Sequence, residues 1–543
     1  MSNVWTARPT ITAAEERVLK LCRKQKLWGF LRHHQHVILD DEVRGALAEM
    51  YVKEGPGRPP VAPELLALAM LLQVGFGAAD HEVPTLTAVD ARWQVVLGCL
   101  GNSEPLFSQG SVFNFRERAR ENGLMRRLLE KTVVIARSTG GFDHKRLRAI
   151  IDSSPLVGAG RVEDTFNLLG RAIAELIEVA ASEAGHDADE LARALDVSVA
   201  LGSSVKSVLD VDWREPDARA RALRDLLGQF DRIRCWLVEQ FNADALSTPP
   251  LSECISTVER IIAQDTEPTP PGPGQAGSDE SSALAKANSE EMSDITEGVA
   301  KDRLVSLSDR DMRHGRKSKS KVFAGYKRHV GADADLPGLI TAVHVLPANR
   351  PEHEAAEPLL TDLGQRFDVV QAQIDRGYLA APAIVALRER GVEVVSKPPQ
   401  QPKGERFGKS KFAVDFANRT VTCPGGAVAP IQNTELAQFP SATCQACHLR
   451  EKCITTANKR GRSVRLHPQE RWYREMAAEL DTPEGRAKRR ERVIVEHDLA
   501  RLGAIQGTRA RYRGLAKNQA HLEIVAAVNN CYVIGRLIER EAA

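Results

Sequence analysis

The sequence predicts a mixed α/β protein whose central sheet is interrupted twice, preceded by a helical N-terminal region. Three observations predict it. Short β-branched stretches run into acids in "RAIIDSSPLVGAG" (148–160) and "VVQAQIDRGYLAAP" (369–382). Helix-spaced apolar residues alternate with such strands, and two long segments between them differ sharply in composition from their surroundings. At 543 residues the chain exceeds what one hydrophobic core usually supports, so several domains or one heavily interrupted domain are expected.

Residues 1–140 read as a helical domain suited to DNA binding or dimerisation. "GRPPVAPELLALAMLLQV" places prolines ahead of a dense apolar run, and "SQGSVFNFRERARENGLMRRLLEKTVVIARS" mixes Leu, Val and Phe with many arginines. The apolar run at 65–79 is shorter than the ~20 residues that span a bilayer, so it reads as a buried helix. The first twenty residues lack the apolar centre of a secretory signal, which points to the cytoplasm and away from membranes. The histidines of "LRHHQH" (31–36) read as surface residues.

A first core segment, 141–171, carries the strand ending at Asp152. Helical spacing at Leu169, Ile173, Leu176 and Ala180 opens an insert, 172–300. It closes in an acidic linker, 264–300, with eight acids against Lys286 alone and a composition that cannot support a packed core. The core resumes over 301–400 with strands in "KVFAGYKRHVGAD" and "GLITAVHVLPAN", a helix in "EHEAAEPLLTDLG", the Asp375 strand, then "APAIVALRERG" and "VEVVSKPP" as helix and strand. Residues 401–470 form a second, cysteine-bearing insert, and 471–543 a C-terminal helical part of the core.

A carboxylate at the lip of a buried strand loses hydration unless a cation or strong donors meet it. If Asp152 and Asp375 end neighbouring strands, their repulsion calls for divalent cations, and two such carboxylates with Mg²⁺ or Mn²⁺ make a phosphoryl-transfer site. Glu496 in "RRERVIVEHDLARLG" supplies a third acid, with Val493 and Val495 as an apolar flank. Arg492 stands one helical turn earlier, to reach a phosphate or orient the glutamate.

These residues carry a resemblance. "IIDSSPLVGAG…VEDTFNLLGRAI", "SDRDMRHGRKSKSKVFAGYKRHVGAD…GLITAVHVLPANRPEHEAA", "IDRGYLA" and "RERVIVEHDLARLGAIQGTRARYRGLAKNQ" resemble, in this order, stretches of the DDE transposases of bacterial insertion sequences, in particular the family numbered eleven eighty-two. The resemblance implies a ribonuclease H-like fold and an Asp152, Asp375, Glu496 triad binding Mg²⁺. It also implies cleavage and strand transfer at transposon ends in a nucleoid-associated assembly of two or more subunits. Two readings compete with it: a catalytically silent DNA-binding relative, and a nuclease without strand transfer. Related enzymes that form DNA hairpins carry Tyr, Arg, Glu and Lys around the glutamate. Here Arg489 holds the tyrosine's place and Gly503 the lysine's, with Arg501 or Lys517 as substitutes for the lysine.

Two further features bear on partners. Residues 313–328 concentrate Arg313, Arg316, Lys317, Lys319, Lys321, Lys327 and Arg328 around Phe323 and Tyr326, which suits a DNA backbone. Arg492, Arg511 and Lys517 extend the same character near Glu496, where 486–517 hold ten Arg or Lys against three acids. Of nine cysteines, Cys22, Cys99, Cys235, Cys254 and Cys531 are scattered and read as core residues. Cys423, Cys444, Cys447 and Cys453 cluster in "CPGG…CQACHLREKC" and are a candidate Zn²⁺ site, with His448 or His467 able to replace one thiolate; free thiols in an irregular insert are the other reading.

Overall fold

The computed structural model describes residues 5–51, 60–142, 145–202, 204–268, 293–296, 298–318, 320–399, 406–455 and 460–541. Most of the acidic linker therefore lies outside the described residues, as does Lys319.

The helix expected from the apolar run is α1 (Pro63–Phe76). Pro63 occupies its first turn, where a missing N–H costs nothing, and Gly77 ends it at φ 76°, a left-handed conformation that glycine adopts without strain. Nine of its residues are buried, as that run requires. α2 (Leu124–Thr139) has a single apolar face of Leu124, Leu128, Leu129, Val133 and Ala136. These helices do not close a core among themselves. Their apolar faces merge with those of the central sheet and of the last helix of the chain into one continuous hydrophobic cluster.

β1 (Arg146–Val157) runs five residues beyond Asp152, whereas the sequence pattern ends the strand at the acid. The reason lies in its neighbours: the parallel partner stops beside Asp152 while the antiparallel partner continues to Val157. The insert then begins with α3 (Thr165–Ala184), capped by Asp164, and packs with helices Pro216–Gln240 and Leu251–Asp265 around a hydrophobic cluster of its own.

The sheet continues with β2 (Arg313–Arg316), β3 (Val322–Asp333), β4 (Ile340–Pro347), β5 (Asp368–Ile374) and β6 (Glu393–Val395), with α4 (Ala356–Arg366) before β5 and α5 (Pro382–Glu389) after it. β3 pairs antiparallel with β1 on one side; on the other, β2 pairs with its first residues and β4 with the rest. β5 lies parallel to β1, and β6 parallel to β5. Gly325 sits where β1, β2 and β3 meet; a Cβ there would lie 2.3 Å from Leu156 O and from Gly158 N.

Alternation along β1 buries both faces of the sheet. Leu147, Ala149 and Ile151 pack against Leu359 and Leu363 of α4 and Ile384 and Leu387 of α5; Ile150 and Leu156 join the N-terminal cluster. Each such fully buried aliphatic side chain contributes ~1.5–3 kcal/mol. The cysteine-bearing insert follows as three-residue strands around a small separate core, and helix Glu470–Leu480 leads back to the sheet. α6 (Val493–Gln506) lays Val495, Leu499 and Leu502 into the larger cluster beside β1. α7 (Leu515–Glu541) places Leu522, Val525 and Val528 in the same cluster as Leu128 of α2. Among the described residues no helix is long and apolar enough to cross a membrane.

Candidate active site

Register brings the two aspartates together. Ile151 of β1 is paired with Ile374 of β5, so Asp152 and Asp375 are the next residues on adjacent parallel strands. Like charges so placed need a cation. Arg492, at the junction between helix Pro483–Glu491 and α6, supplies it: Nη2 lies 2.8 Å from Asp152 Oδ2 and Nη1 3.0 Å from Asp375 Oδ1. One guanidinium thus bridges both carboxylates, where the sequence suggests contact with phosphate or with Glu496. Burial raises the pKa of Asp152. The Arg492 charge and a 2.7 Å bond from the Ser153 N–H oppose the rise, and Asp375 and Glu352 add to it.

Glu352 is a third carboxylate that sequence reasoning missed. It lies in the short turn Glu352–Ala355 after β4, and its Oε1 accepts a 2.5 Å bond from Ser153 Oγ, immediately after Asp152. Its approach depends on Gly377, two residues after Asp375: a Cβ at 377 would fall 2.0 Å from Glu352 Oε2. Below it, Tyr378 Oη and His329 Nδ1 are 2.6 Å apart, and both side chains are fully buried. Burial holds His329 neutral, pushed down to about 3, and pushes the Tyr378 hydroxyl well above its usual value. This neutral pair anchors the turn that presents Asp375, because the Tyr378 N–H also bonds Asp375 O at 3.0 Å.

Glu496 lies on α6, one turn beyond Arg492, with an exposed side chain; one turn puts their Cβ atoms ~5–6 Å apart. Val495 packs inward as expected, but Val493 is exposed at 47% and flanks nothing. Among the described residues, no three His, Cys, Asp or Glu side chains are drawn to the spacing of a metal site, so the structure gathers Asp152, Asp375 and Glu352 about Arg492 without closing a ligand cage.

The basic residues divide. Arg316, Lys317 and Lys321 are exposed on the β2–β3 hairpin. Arg313 and Arg328 correct the expectation of DNA contact: both are buried. Arg313 pairs with Asp302 at 2.9 Å, and Arg328 donates to Ser154 Oγ and Gln506 Oε1, each at 2.7 Å. Alternation on β3 turns Tyr326 inward too, where its hydroxyl donates to Asp309 and is lost to base stacking. Lys327 donates to Arg350 O. Arg511 donates to Ala78 O at 2.7 Å and pairs with Asp80, tying the C-terminal segment to the N-terminal helices, and Lys517 pairs with Glu117 at 3.4 Å. Of the residues weighed for the missing lysine, Arg501 pairs with Asp498 at 3.7 Å, and a side chain at 503 would meet Arg328 Nη2 at 3.2 Å.

Cys423, Cys444, Cys447 and Cys453 line one cavity with His448, whereas His467 lies in a different one beside Tyr473. Cys254 and Cys531 are buried and Cys22 and Cys99 half-buried; Cys235 corrects the core reading, being exposed on helix Pro216–Gln240. His33 and His36 are exposed as read, but His34 is half-buried and stacks on Phe30.

A mixed sheet with carboxylates side by side on adjacent parallel strands, Asp152 within one and Asp375 just past the end of the other, defines an α/β protein with an acidic, arginine-bridged site. Comparison with known families makes this more particular. Residues 428–534 match the family model described as Transposase DDE domain, and residues 19–118 that described as Transposase domain (DUF772). Together the two matches support a DDE transposase, an enzyme acting on DNA. The first match contains Arg492 and Glu496; Asp152 and Asp375 lie outside both. No curated protein and no solved structure matches the chain.

Proposed function

We propose that the protein is the transposase of a bacterial insertion sequence of the family numbered eleven eighty-two, cutting DNA at the element's terminal inverted repeats and joining the freed ends to target DNA. The observation that carries this is the pairing of Asp152 with Asp375 under Arg492, which issues from the helix bearing Glu496, within a chain that matches transposase families at both ends. The strand order supports a ribonuclease H-like core: β3 alone runs antiparallel beside β1, with parallel β5 and β6 on the other side.

The donor set fits a hard divalent cation such as Mg²⁺ or Mn²⁺. The paired groups are oxygen ligands, and Arg492 alone leaves two adjacent carboxylates with excess negative charge. Asp152, Asp375 and Glu496 are the residues that would hold it. When bound, it supplies Lewis acidity at the scissile phosphate and a more acidic water.

The chain's own groups set position. Arg492 bridges both carboxylates and holds them aimed at one point, and the His329–Tyr378 pair fixes the turn behind Asp375. The exposed Arg316, Lys317 and Lys321 hold the DNA backbone near this edge of the sheet without reading bases. Because an element has two ends, the working assembly pairs at least two subunits on DNA.

The experiment is nicking and strand transfer of a terminal-repeat duplex in Mg²⁺, comparing the wild type with Asp375→Ala of unchanged circular dichroism. Loss of both products is expected. Undiminished cleavage rejects the assignment, and wild-type cleavage without strand transfer reduces the protein to a nuclease.

A further inference from the structure

The cysteine-bearing insert contains a chemistry that the proposed catalysis does not use. Its strands Ala413–Asp415, Thr420–Thr422, Val428–Pro430, Leu436–Gln438 and Ser463–Arg465 are three residues each. Its core consists of eight buried apolar side chains, from Phe412 to Leu466. Strands this short in two- and three-stranded sheets are marginal in water, and a unit of this size ordinarily needs a covalent or metal staple. Cys423, Cys444 and Cys453 pack against that core, and all four cysteines of the insert are free thiols.

The four thiols converge from three elements. Cys423 opens the turn between the second and third strands, Cys444 lies in helix Ser441–Gln445, and Cys447 and Cys453 flank the turn after it. All four line one cavity of about 230 Å³. Gly425 leaves open the space beside two of them: a Cβ there would stand 3.0 Å from Cys447 Sγ and 3.7 Å from Cys423 Sγ. Two sulfurs already accept backbone hydrogen bonds, Cys447 from Leu449 N and Cys444 from Arg462 N, both at 3.4 Å. The Arg462 guanidinium reaches the same turn, donating to Cys453 O at 3.2 Å.

We propose that this cavity is a structural zinc site with Cys423, Cys444, Cys447 and Cys453 as its four ligands. Thiolates select a soft or borderline cation, and four of them at a closed site suit tetrahedral Zn²⁺. Binding expels the thiol protons to solvent and draws the sulfurs inward by side-chain rotation from their present spacing, fastening the turn at Cys423 to the helix at Cys444. His448, beside the cavity, is not required.

Metal analysis of the full-length protein, purified without added metal and dialysed against a weak chelator, is expected to find one zinc per chain, released on titration of the thiols with an organomercurial. Replacement by Co²⁺ is expected to give the intense visible bands and sulfur-to-metal charge transfer of tetrahedral thiolate coordination. Cys444→Ser with Cys447→Ser should lose the zinc, while Cys235→Ser, on the helical insert, keeps it. Should the double variant fail to fold, the wild-type cobalt spectrum decides alone. Thiols that all react freely in metal-replete protein, disulfides among the four cysteines, or a Co²⁺ spectrum of six-coordinate oxygen ligation would overturn the proposal.

Discussion

Asp152 and Asp375 stand side by side on parallel strands and share one guanidinium. A planar fork spans two carboxylates, whereas an ammonium on a flexible stem meets one at a time. Arg492→Lys therefore keeps the charge and loses one charge-assisted hydrogen bond of about 1.5–3 kcal/mol. DNA nicking by this variant is expected to fall about 10- to 100-fold. An unchanged single-turnover rate would remove Arg492 from the positioning of the acids.

Glu352 raises the pKa of Asp152 through its charge, while its Oε1 accepts from Ser153. Glu352→Gln keeps an acceptor and removes the charge. Asp152 then ionises at lower pH, and the acid limb of the pH–rate profile for nicking should move to lower pH with the plateau retained. An acid limb that stays put would show that Glu352 has no electrostatic hold on Asp152.

Lys317 and Lys321 are exposed, with Arg316, on the β2–β3 hairpin. Replacing Lys317 and Lys321 together by alanine should lower the steepness of log K against log salt by about two units, uniformly across DNA sequences. Fluorescence anisotropy over a salt series measures it. A slope equal to that of the wild type would place the DNA elsewhere.

Asp498 is buried on α6, and burial pushes its pKa up to about 6 from 3.8, with Arg501 opposing. Because the folded-state value is the higher one, its contribution to stability is fully present below about pH 4 and is lost as pH rises through 6. Between pH 4.5 and 7 the stability difference should shift in favour of Asp498→Asn by on the order of 2–3 kcal/mol. Denaturant titrations at the two pH values test this, and a pH-independent difference refutes the buried-charge account.

The sheet was legible because β-branched runs that meet an acid announce buried strands, and the pairing of Asp152 with Asp375 follows from the parallel register that sets Ile151 opposite Ile374. Glu352 was not. Its sequence context, "RPEHEAA", reads as an ordinary helix start, and only the closure of Ser153 and the bare Cα of Gly377 bring it to the aspartates. The basic run misled for a related reason: composition counts charges without saying which way each turns. Pairing of β2 with β3 sends Arg313 inside, and Arg328 is enclosed where β3 pairs with β1 and β4; Asp302 receives the first, Ser154 and Gln506 the second. The intimacy of the N-terminal helices with the sheet was equally hidden, since an amphipathic face shows that a partner exists without naming it.

That intimacy governs how the chain can be made. Leu128 near the start and Leu522 and Val528 near the end lie in the same cluster, so the first third of the molecule cannot finish folding while the last thirty residues are still in the ribosome. A product terminated before residue 515 should be degraded by protease across 19–118, whereas the full-length chain resists. The chain would then persist whole or not at all, with no stable N-terminal fragment accumulating beside it.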